Sequence, residues 1–114
     1  MDNCIFCMIA RGEIPSTKVY EDERTLAFRD INPMAPVHVV VIPKHHVSGL
    51  NEVESLTDEE QLALLRACRK VAELEGLSES GYRVVSNCGP DSGQTVPHLH
   101  LHVLGGRKLR IDMV

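Results

Sequence analysis

The run VHVVVIP, residues 37–43, limits the possible folds of this chain more than any other segment. A strand with one solvated face alternates apolar and polar residues, whereas an almost continuous β-branched run is typical of a central strand buried on both faces. Pro43 has no amide hydrogen to donate and ends the run. The sequence therefore predicts a sheet with residues 37–43 near its centre.

Shorter segments predict the other strands of this sheet. KVYE (18–21) and RTLAFRD (24–30) flank a short polar link and predict a β-hairpin, and INPMAP (31–36) then predicts a loop. Two more strands are expected at GYRVVSN (81–87) and HLHLHVL (98–104).

One long helix is expected after Thr57. In the sequence TDEE, the Thr57 hydroxyl can accept a hydrogen bond from the amide of Glu60, whose carboxylate can accept one from the amide of Thr57. Gly76 supplies the C-terminal stop. A shorter helix of one or two turns is expected in residues 4–11. The apolar face of the long helix comprises Leu64, Ala67, Cys68, Val71 and Ala72.

These elements predict one α+β domain over residues 1–114, because a chain of this length forms a single core. We expect a mostly antiparallel sheet that carries its helices on one face. The formal net charge of −4 argues against a nucleic-acid polymer as partner, since such a protein needs a basic face. The basic run GGRKLR (105–110) predicts a solvated tail.

Composition also bears on the cellular compartment. No apolar run approaches the ~20 residues that cross a bilayer, and the N-terminal segment MDNCIFCMIARGE lacks the basic and long apolar regions of a signal peptide. We therefore expect a cytoplasmic protein that does not bind membranes. Thiols stay reduced there, so the four cysteines are expected to be metal ligands or small core residues rather than disulfides.

Three of the six histidines lie within residues 98–102. Side chains alternate between the two faces of a strand, so His98, His100 and His102 are expected on one face and the intervening leucines on the other. Such a row could be a metal site, a catalytic site or a set of partly exposed strand residues. Imidazole titrates near neutrality and suits nucleophilic or acid–base work, which favours catalysis.

The histidine row follows a loop, GPDSGQT (89–95), that is rich in potential hydrogen-bond donors. Its backbone amides and the side chains of Ser92, Gln94 and Thr95 can surround an anion. It is not a P-loop, because the Gly-Lys-Ser/Thr ending and a following helix are absent. Next to the histidines, this loop predicts a phosphate held within reach of an imidazole.

The segment GQTVPHLHLHVLGGR (93–107) resembles the His-x-His-x-His signature, with x apolar, of the histidine-triad (HIT) superfamily. Residues 4–46 and 81–107 resemble the two halves of its Hint branch, the histidine-triad nucleotide-binding proteins. The resemblance implies a HIT-like α+β fold with a five-stranded antiparallel sheet, one long helix and a short N-terminal helix. It also implies that the sheet extends across a homodimer.

The same resemblance implies a chemistry. Hint-like proteins bind purine nucleotides and hydrolyse nucleoside phosphoramidates such as AMP joined to an amine. His100 would attack the α-phosphorus and form a transient nucleotidyl-histidine, with its other ring nitrogen oriented by an acceptor such as a backbone carbonyl. His102 would bind phosphate oxygens or the leaving group, and His38 matches the fourth histidine of the family.

Two other functions stay open at the level of sequence. The loop sequence GPDSGQTV (89–96) also resembles the fragile-histidine-triad branch, which hydrolyses dinucleoside polyphosphates. The short segment after HVLGGR favours the Hint branch instead. Alternatively, the chain is a nucleotide-binding module with vestigial catalysis. The sequence KLRIDMV (108–114) has no counterpart that we identify, so the leaving group is left open.

The resemblance also implies the residues that hold the nucleotide. Asp30 would accept hydrogen bonds from the ribose hydroxyls, a task suited to a carboxylate. Asn87, Gln94 and Thr95 match phosphate-contacting positions. The purine base would lie in an apolar slot formed by Ile5, Phe6, Ile9, Phe28 and Ile31.

The pair Cys4 and Cys7 forms a C-x-x-C motif. As a redox motif it would need a βαβ context, which is not predicted, and as half of a zinc site it needs two further ligands. Related HIT proteins carry such a site, and the resemblance implies structural Zn²⁺ on Cys4, Cys7, His46 and His98, with no organic cofactor. His45 could replace His46, and a catalytic metal on the three histidines of the row is a further alternative. Cys68 is expected in the core, and Cys88 is assigned no role.

Overall fold

The computed structural model describes residues 3–112 and contains one five-stranded antiparallel sheet with the strand order β1-β2-β3-β5-β4. The strands are β1 (Lys18–Glu21), β2 (Thr25–Arg29), β3 (Val37–Pro43), β4 (Tyr82–Val85) and β5 (Leu101–Gly105). The two α-helices are α1 (Ile5–Ala10) and α2 (Asp58–Leu74), and short 3₁₀ turns span Leu50–Ser55 and Pro90–Ser92.

The strand β3 lies at the centre of the sheet, as its continuous apolar sequence predicts. It pairs with β2 through Ala27 and Val41 and with β5 through Val39 and Val103. Six of its seven residues are buried. Hydrophobic residues therefore contact both faces of this strand, and both faces must be covered.

Each face of the sheet carries one helix, so the prediction that both helices share one face is wrong. The long helix α2 packs on the side that includes Val39 and Val41, where it forms the larger core. The short helix α1 covers the other side, where Ile9 packs with Phe28 and Val40. The physical reason is the double-sided burial of β3, since one helix cannot remove both faces from water.

Helix α2 begins and ends where its sequence predicts. The Thr57 hydroxyl accepts from the amide of Glu60 over 3.1 Å, and the Glu60 carboxylate accepts from the amide of Thr57 over 2.8 Å. Gly76 adopts a φ of 73° just beyond the helix, a conformation that costs glycine little. All five residues of the predicted apolar face are buried, including Cys68.

The last strand is shorter than predicted, because β5 begins at Leu101 and not at His98. In the antiparallel register Leu101 lies opposite Val41, so Leu99 would lie opposite Pro43. Proline has no amide hydrogen for the ladder, and the Leu99 amide donates instead to the carbonyl of Val47 over 2.7 Å. The histidine row therefore starts in irregular backbone and only its last member, His102, lies in the sheet.

Two further expectations concern the surface. The charged residues of the basic run, Arg107, Lys108 and Arg110, are exposed. Within residues 3–112, neither helix combines the length and the apolar character that crossing a bilayer requires.

Burial on both faces of β3 predicts matched stability losses. Val40→Ala and Val41→Ala remove buried methyl groups from the α1 and α2 sides, and each should lower the free energy of unfolding by about 2 kcal/mol. Glu79→Ala, at an exposed position, should change it by less than about 0.5 kcal/mol. Urea denaturation at one fixed protein concentration measures all three, and a Val40→Ala effect as small as that of Glu79→Ala would show that the α1 side is not a core.

Candidate active site

A cavity of about 580 Å³ opens on the α1 side of the sheet. Two histidines of the row, His100 and His102, lie in its wall. All the residues that the family resemblance assigns to the nucleotide also line it, namely Ile5, Phe6, Ile9, Phe28, Asp30, Ile31, Asn87, Gln94 and Thr95. The structure thus brings together side chains from α1, β2, β5 and two loops that are far apart in sequence.

The apolar part of the cavity wall is built from the first turn of α1 and the end of β2. The rings of Phe6 and Phe28 meet edge to face, with centroids 5.5 Å apart, and Phe6 lies edge-on to His100 at 5.0 Å. Ile31 is 92% exposed at the rim. A flat aromatic ligand can be inserted between these side chains, which offer dispersion contacts and no charged group.

His100 is held by the backbone of its own row. Its Nδ1 atom lies 2.7 Å from the carbonyl oxygen of His98, and the residue is 6% exposed. A carbonyl only accepts hydrogen bonds, so Nδ1 carries the hydrogen and Nε2 keeps its lone pair. In its neutral form the ring is therefore oriented as a nucleophile requires, in the way that the sequence predicts for this position.

His102 and His38 form a bonded pair beside His100. Nε2 of His38 lies 2.9 Å from Nδ1 of His102, and the ring centroids of His100 and His102 are 5.0 Å apart. Burial lowers the pKa of His102 to about 4 and also lowers the pKa of His38. Both rings are consequently neutral near pH 7. His38 lies outside the cavity wall and contacts it through His102.

Asp30 is fixed at the cavity edge by the loop that follows β2. The amide of Asn32 donates to Oδ1 of Asp30 over 2.8 Å, and Oδ2 of Asp30 lies 3.4 Å from Nε2 of His38. The carboxylate is 23% exposed and has acceptor capacity left for hydroxyl donors.

The loop before the histidine row is held in place by the side chain of Gln94, a residue that the sequence predicts to contact phosphate. The Gln94 carboxamide donates to the carbonyls of Ser48 and Val96 over 2.8 and 3.0 Å, and accepts from the amide of Gly89 over 2.9 Å. Ser92 likewise donates to the Gly89 carbonyl over 2.7 Å and does not line the cavity. The side chain of Gln94 thus shapes the loop, and the residue lines the cavity together with Asn87 and Thr95.

A second cluster contains Cys4, Cys7, His46 and His98, whose ligand atoms all lie within 4.8 Å of one another. The Sγ–Nδ1 distances are 3.3 Å for Cys4–His98, 3.3 Å for Cys7–His46 and 3.5 Å for Cys7–His98, and the two Nδ1 atoms are 3.1 Å apart. Tetrahedral zinc, with bonds of about 2.3 Å to sulfur and 2.0 Å to nitrogen, separates sulfur and nitrogen ligands by about 3.5 Å. The cluster has the residue types and the spacing of a zinc site.

His98 is oriented for this cluster and not for the cavity. Its Nε2 atom lies 2.8 Å from the carbonyl oxygen of Pro43, so Nε2 carries the hydrogen and Nδ1 presents its lone pair to the cysteines. Both nitrogens are then committed, and the alternative of one metal shared by the three histidines of the row does not fit. His45 bonds to Glu60 at 3.1 Å and does not join the cluster, so it is not a substitute for His46. All four cysteines are free.

Sequence reasoning missed several groups that shape the site. Ser16, Thr17 and Val40 line the cavity without any motif that could mark them. The Met34 amide contacts His38 and the Pro43 carbonyl contacts His98, and such backbone groups leave no trace in side-chain patterns. The contact between Pro43 and His98 could have been suggested only by the pairing register of β3.

Comparison with known proteins agrees with this architecture. The chain matches the HIT domain family over residues 11–109. A 14 kDa zinc-binding protein of Zea mays is 52% identical over 107 residues, which cover 92% of this chain and 83% of the relative. The purine nucleoside phosphoramidase of Escherichia coli (strain K12) is 42% identical over 108 residues, which cover 95% of this chain and 91% of the relative.

A solved structure extends the agreement to the fold. The HIT family hydrolase from Clostridium thermocellum is 46% identical and superposes with a TM-score of 0.94. The match covers 100% of this chain and 99% of the hydrolase chain. With the family match spanning most of its length and the histidine row in the wall of the cavity, this chain belongs to the histidine-triad (HIT) family.

Proposed function

We propose that this protein hydrolyses purine nucleoside phosphoramidates of the AMP–amine type through a covalent intermediate on His100. The observation that carries the proposal is the bond from Nδ1 of His100 to the carbonyl of His98, which leaves the Nε2 lone pair free beside a nucleotide-sized cavity. The phosphoramidase activity named for the Escherichia coli relative supports the choice of substrate.

In the proposed reaction, Nε2 of His100 attacks the phosphorus and forms a P–N bond to the ring. The bond from phosphorus to the substrate amine breaks, and the departing nitrogen keeps the electron pair and takes a proton from solvent. Water then attacks the same phosphorus and loses a proton, and the bond to His100 breaks with its electron pair returned to Nε2. Donors from the 89–95 loop and the ring of His102 stabilise charge on the phosphoryl oxygens.

The cavity offers a place for each part of such a substrate. The slot beside Phe6 and Phe28 takes the purine ring, and the carboxylate of Asp30 accepts from the ribose hydroxyls. Asn87 and Thr95 lie with Gly93 at the phosphate end, near His100. The residues proposed to form the base slot are apolar, so binding through stacking would tolerate more than one purine.

We also propose that Cys4, Cys7, His46 and His98 hold a structural Zn²⁺ ion. The ion, when bound, supplies a tetrahedral cross-link between α1 and the start of the histidine row. Cys4 caps α1 by accepting from the amide of Cys7, so the residues that hold the metal also fix the helix that forms the base slot. None of the four cysteines forms a disulfide, which fits a reducing compartment and supports a cytoplasmic location.

A homodimer joined through β4 completes the proposal. The strand β4 is an edge of the sheet, and its residues Tyr82 and Val84 are 39% and 42% exposed. Leu65 of α2 is 64% exposed. An unpaired apolar edge strand is a template for pairing with a second copy.

His100→Ala should abolish both turnover and adduct formation, because the nucleophile is lost. The measurement is hydrolysis of an AMP–lysine conjugate, with intact-mass spectrometry for a nucleotidyl adduct, and diadenosine triphosphate as the competing substrate. A loss of about 10³-fold or more is expected. Faster turnover of diadenosine triphosphate would favour dinucleoside polyphosphate hydrolysis, and equal behaviour of wild type and His100→Ala would favour a binding module.

Freshly purified protein that has not been exposed to a chelator should contain close to one equivalent of zinc per chain. His46→Ala should reduce the metal content and lower the thermal midpoint, because one ligand is removed, whereas His45→Ala should change neither. Elemental analysis and thermal unfolding measure these effects. Less than about half an equivalent in wild type would count against the site.

Val84→Lys should convert the dimer to a monomer, because a lysine on the edge strand opposes pairing with a second strand. Sedimentation equilibrium of wild type and variant measures the change, with Arg69→Ala at an exposed position of α2 as control. A monomeric wild type at micromolar concentration would contradict the proposed assembly.

A further inference from the structure

The proposed phosphate end of the cavity is lined, within residues 3–112, by groups that carry no fixed positive charge. It comprises Asn87, Gly93 and Thr95 together with the rings of His100 and His102. Burial lowers the pKa of His102 to about 4, so this ring is neutral near pH 7. His100 reacts in its neutral form in the proposed mechanism. The cavity therefore offers a phosphoryl oxygen neutral hydrogen-bond donors and no lysine or arginine.

Of the described residues that line the cavity, two have side chains that are fully charged near neutrality, Arg29 and Asp30. The Arg29 guanidinium pairs with both carboxylate oxygens of Glu75, over 2.6 and 2.9 Å. Glu75 directly follows α2, on the opposite face of the sheet, so this pair holds the guanidinium away from the cavity. The charge that remains at the cavity edge is the negative charge of Asp30.

A third charged residue, Arg83 of β4, lies on the same face of the sheet as His102. It pairs with Leu104, which is two residues from His102 in β5, and residues directly opposite each other share a face. Arg83 is not part of the cavity wall. Its attraction to a bound phosphoryl group would act from outside the site, where solvent and salt weaken it.

The number of charges on a ligand determines how well such a site can bind it. In a Born description the cost of removing an ion from water rises with the square of its charge, so a dianion costs about four times as much as a monoanion of equal size. Neutral donors can offset this cost for one charge spread over two oxygens, whereas recognition of a doubly charged phosphate commonly uses Arg or Lys. The carboxylate of Asp30 adds a repulsion that is larger for the dianion.

The proposed reaction changes the charge of the bound group. A nucleoside phosphoramidate monoester carries one negative charge on its phosphoryl oxygens. Its reaction with water releases the amine as an ammonium ion and leaves AMP with two negative charges, so the total charge is conserved. AMP is mostly a dianion at pH 7.5, because the second pKa of a phosphate monoester is about 6.

We propose that this cavity selects a phosphoryl group with a single negative charge and binds the doubly charged AMP product weakly. The identity of the ligand as a purine nucleotide rests on the proposed function, and the selection by charge goes beyond it. The second charge arises only after the bond to His100 has broken, so it favours release of the product. ADP and ATP carry still more charge on their phosphates and compete poorly for the same reason.

Isothermal titration calorimetry of the wild-type protein at pH 7.5 tests this selection without turnover. The probes are adenosine, AMP and adenosine 5′-methylphosphonate, which has nearly the size of AMP, one negative charge, and a P–C bond that resists hydrolysis. We expect the Kd of the methylphosphonate to be at least about 10-fold lower than the Kd of AMP. Equal Kd values, or a lower Kd for AMP, would overturn the proposal.

The neutral probe separates this inference from the proposed function. If adenosine binds and the two anions have equal Kd values, nucleoside recognition stands and only the selection by charge is contradicted. If none of the three probes binds, the proposed function and this inference both fail. A failed phosphoramidase assay together with the expected ratio of Kd values would contradict the reaction and leave the selection by charge in place.

Two variants of Thr95 test whether charge causes the preference. Thr95 is exposed and lies at the phosphate end, where Thr95→Lys adds a cation and Thr95→Met adds a long side chain without charge. We expect Thr95→Lys to reduce the ratio of the AMP Kd to the methylphosphonate Kd by about 5-fold or more, and Thr95→Met to keep the wild-type ratio. Thermal unfolding verifies that each variant is folded. An unchanged ratio in Thr95→Lys, or the same change in both variants, would show that charge does not set the preference.

Discussion

The site depends first on the peptide unit of His98, because this residue belongs to two centres at once. Its carbonyl accepts the hydrogen of His100 Nδ1, and its imidazole presents Nδ1 to Cys4 and Cys7. A rotation of the backbone at His98 would disturb the Cys/His cluster and the orientation of the His100 ring together. His98 and His100 are only two residues apart, so the geometry of the Cys/His cluster and the orientation of the His100 ring depend on the same peptide unit.

This arrangement is possible because the pairing of β3 with β5 stops before it reaches His98. Pro43 closes β3 and offers no amide to the neighbouring strand, so the chain before Leu101 leaves the ladder. The free carbonyl of Pro43 then accepts from Nε2 of His98, and the Leu99 amide donates to Val47. Because Pro43 lacks an amide hydrogen, the backbone that positions the Cys/His cluster and the His100 ring is free of the sheet ladder.

Much of the fold follows from local patterns. The capping box at Thr57, the double-sided burial of β3 and the five-residue face of α2 were all readable from sequence, because each depends on residue types at fixed spacing. The position of α1 on the opposite side from α2 was not, since a six-residue helix has too few residues to show which surface it covers. The side chains that gather around the cavity were named through family resemblance, and their distances required the three-dimensional structure.

The protonation pattern of the histidine row shows most clearly what sequence cannot supply. His98, His100 and His102 are identical in covalent structure and alternate along one segment. The Pro43 carbonyl puts the hydrogen of His98 on Nε2, and the His98 carbonyl puts that of His100 on Nδ1. The Met34 amide, acting through His38, puts that of His102 back on Nε2.

Three backbone groups thus give the three rings different capacities. The first ring offers a lone pair to the Cys/His cluster, the second offers one to the cavity, and the third offers a hydrogen to the cavity. Neutral imidazole has one donor and one acceptor, so a single fixed partner determines what the other nitrogen can do. Backbone carbonyls and amides do not titrate near neutrality, so each of these partners keeps its ring in one tautomer for as long as that ring is neutral.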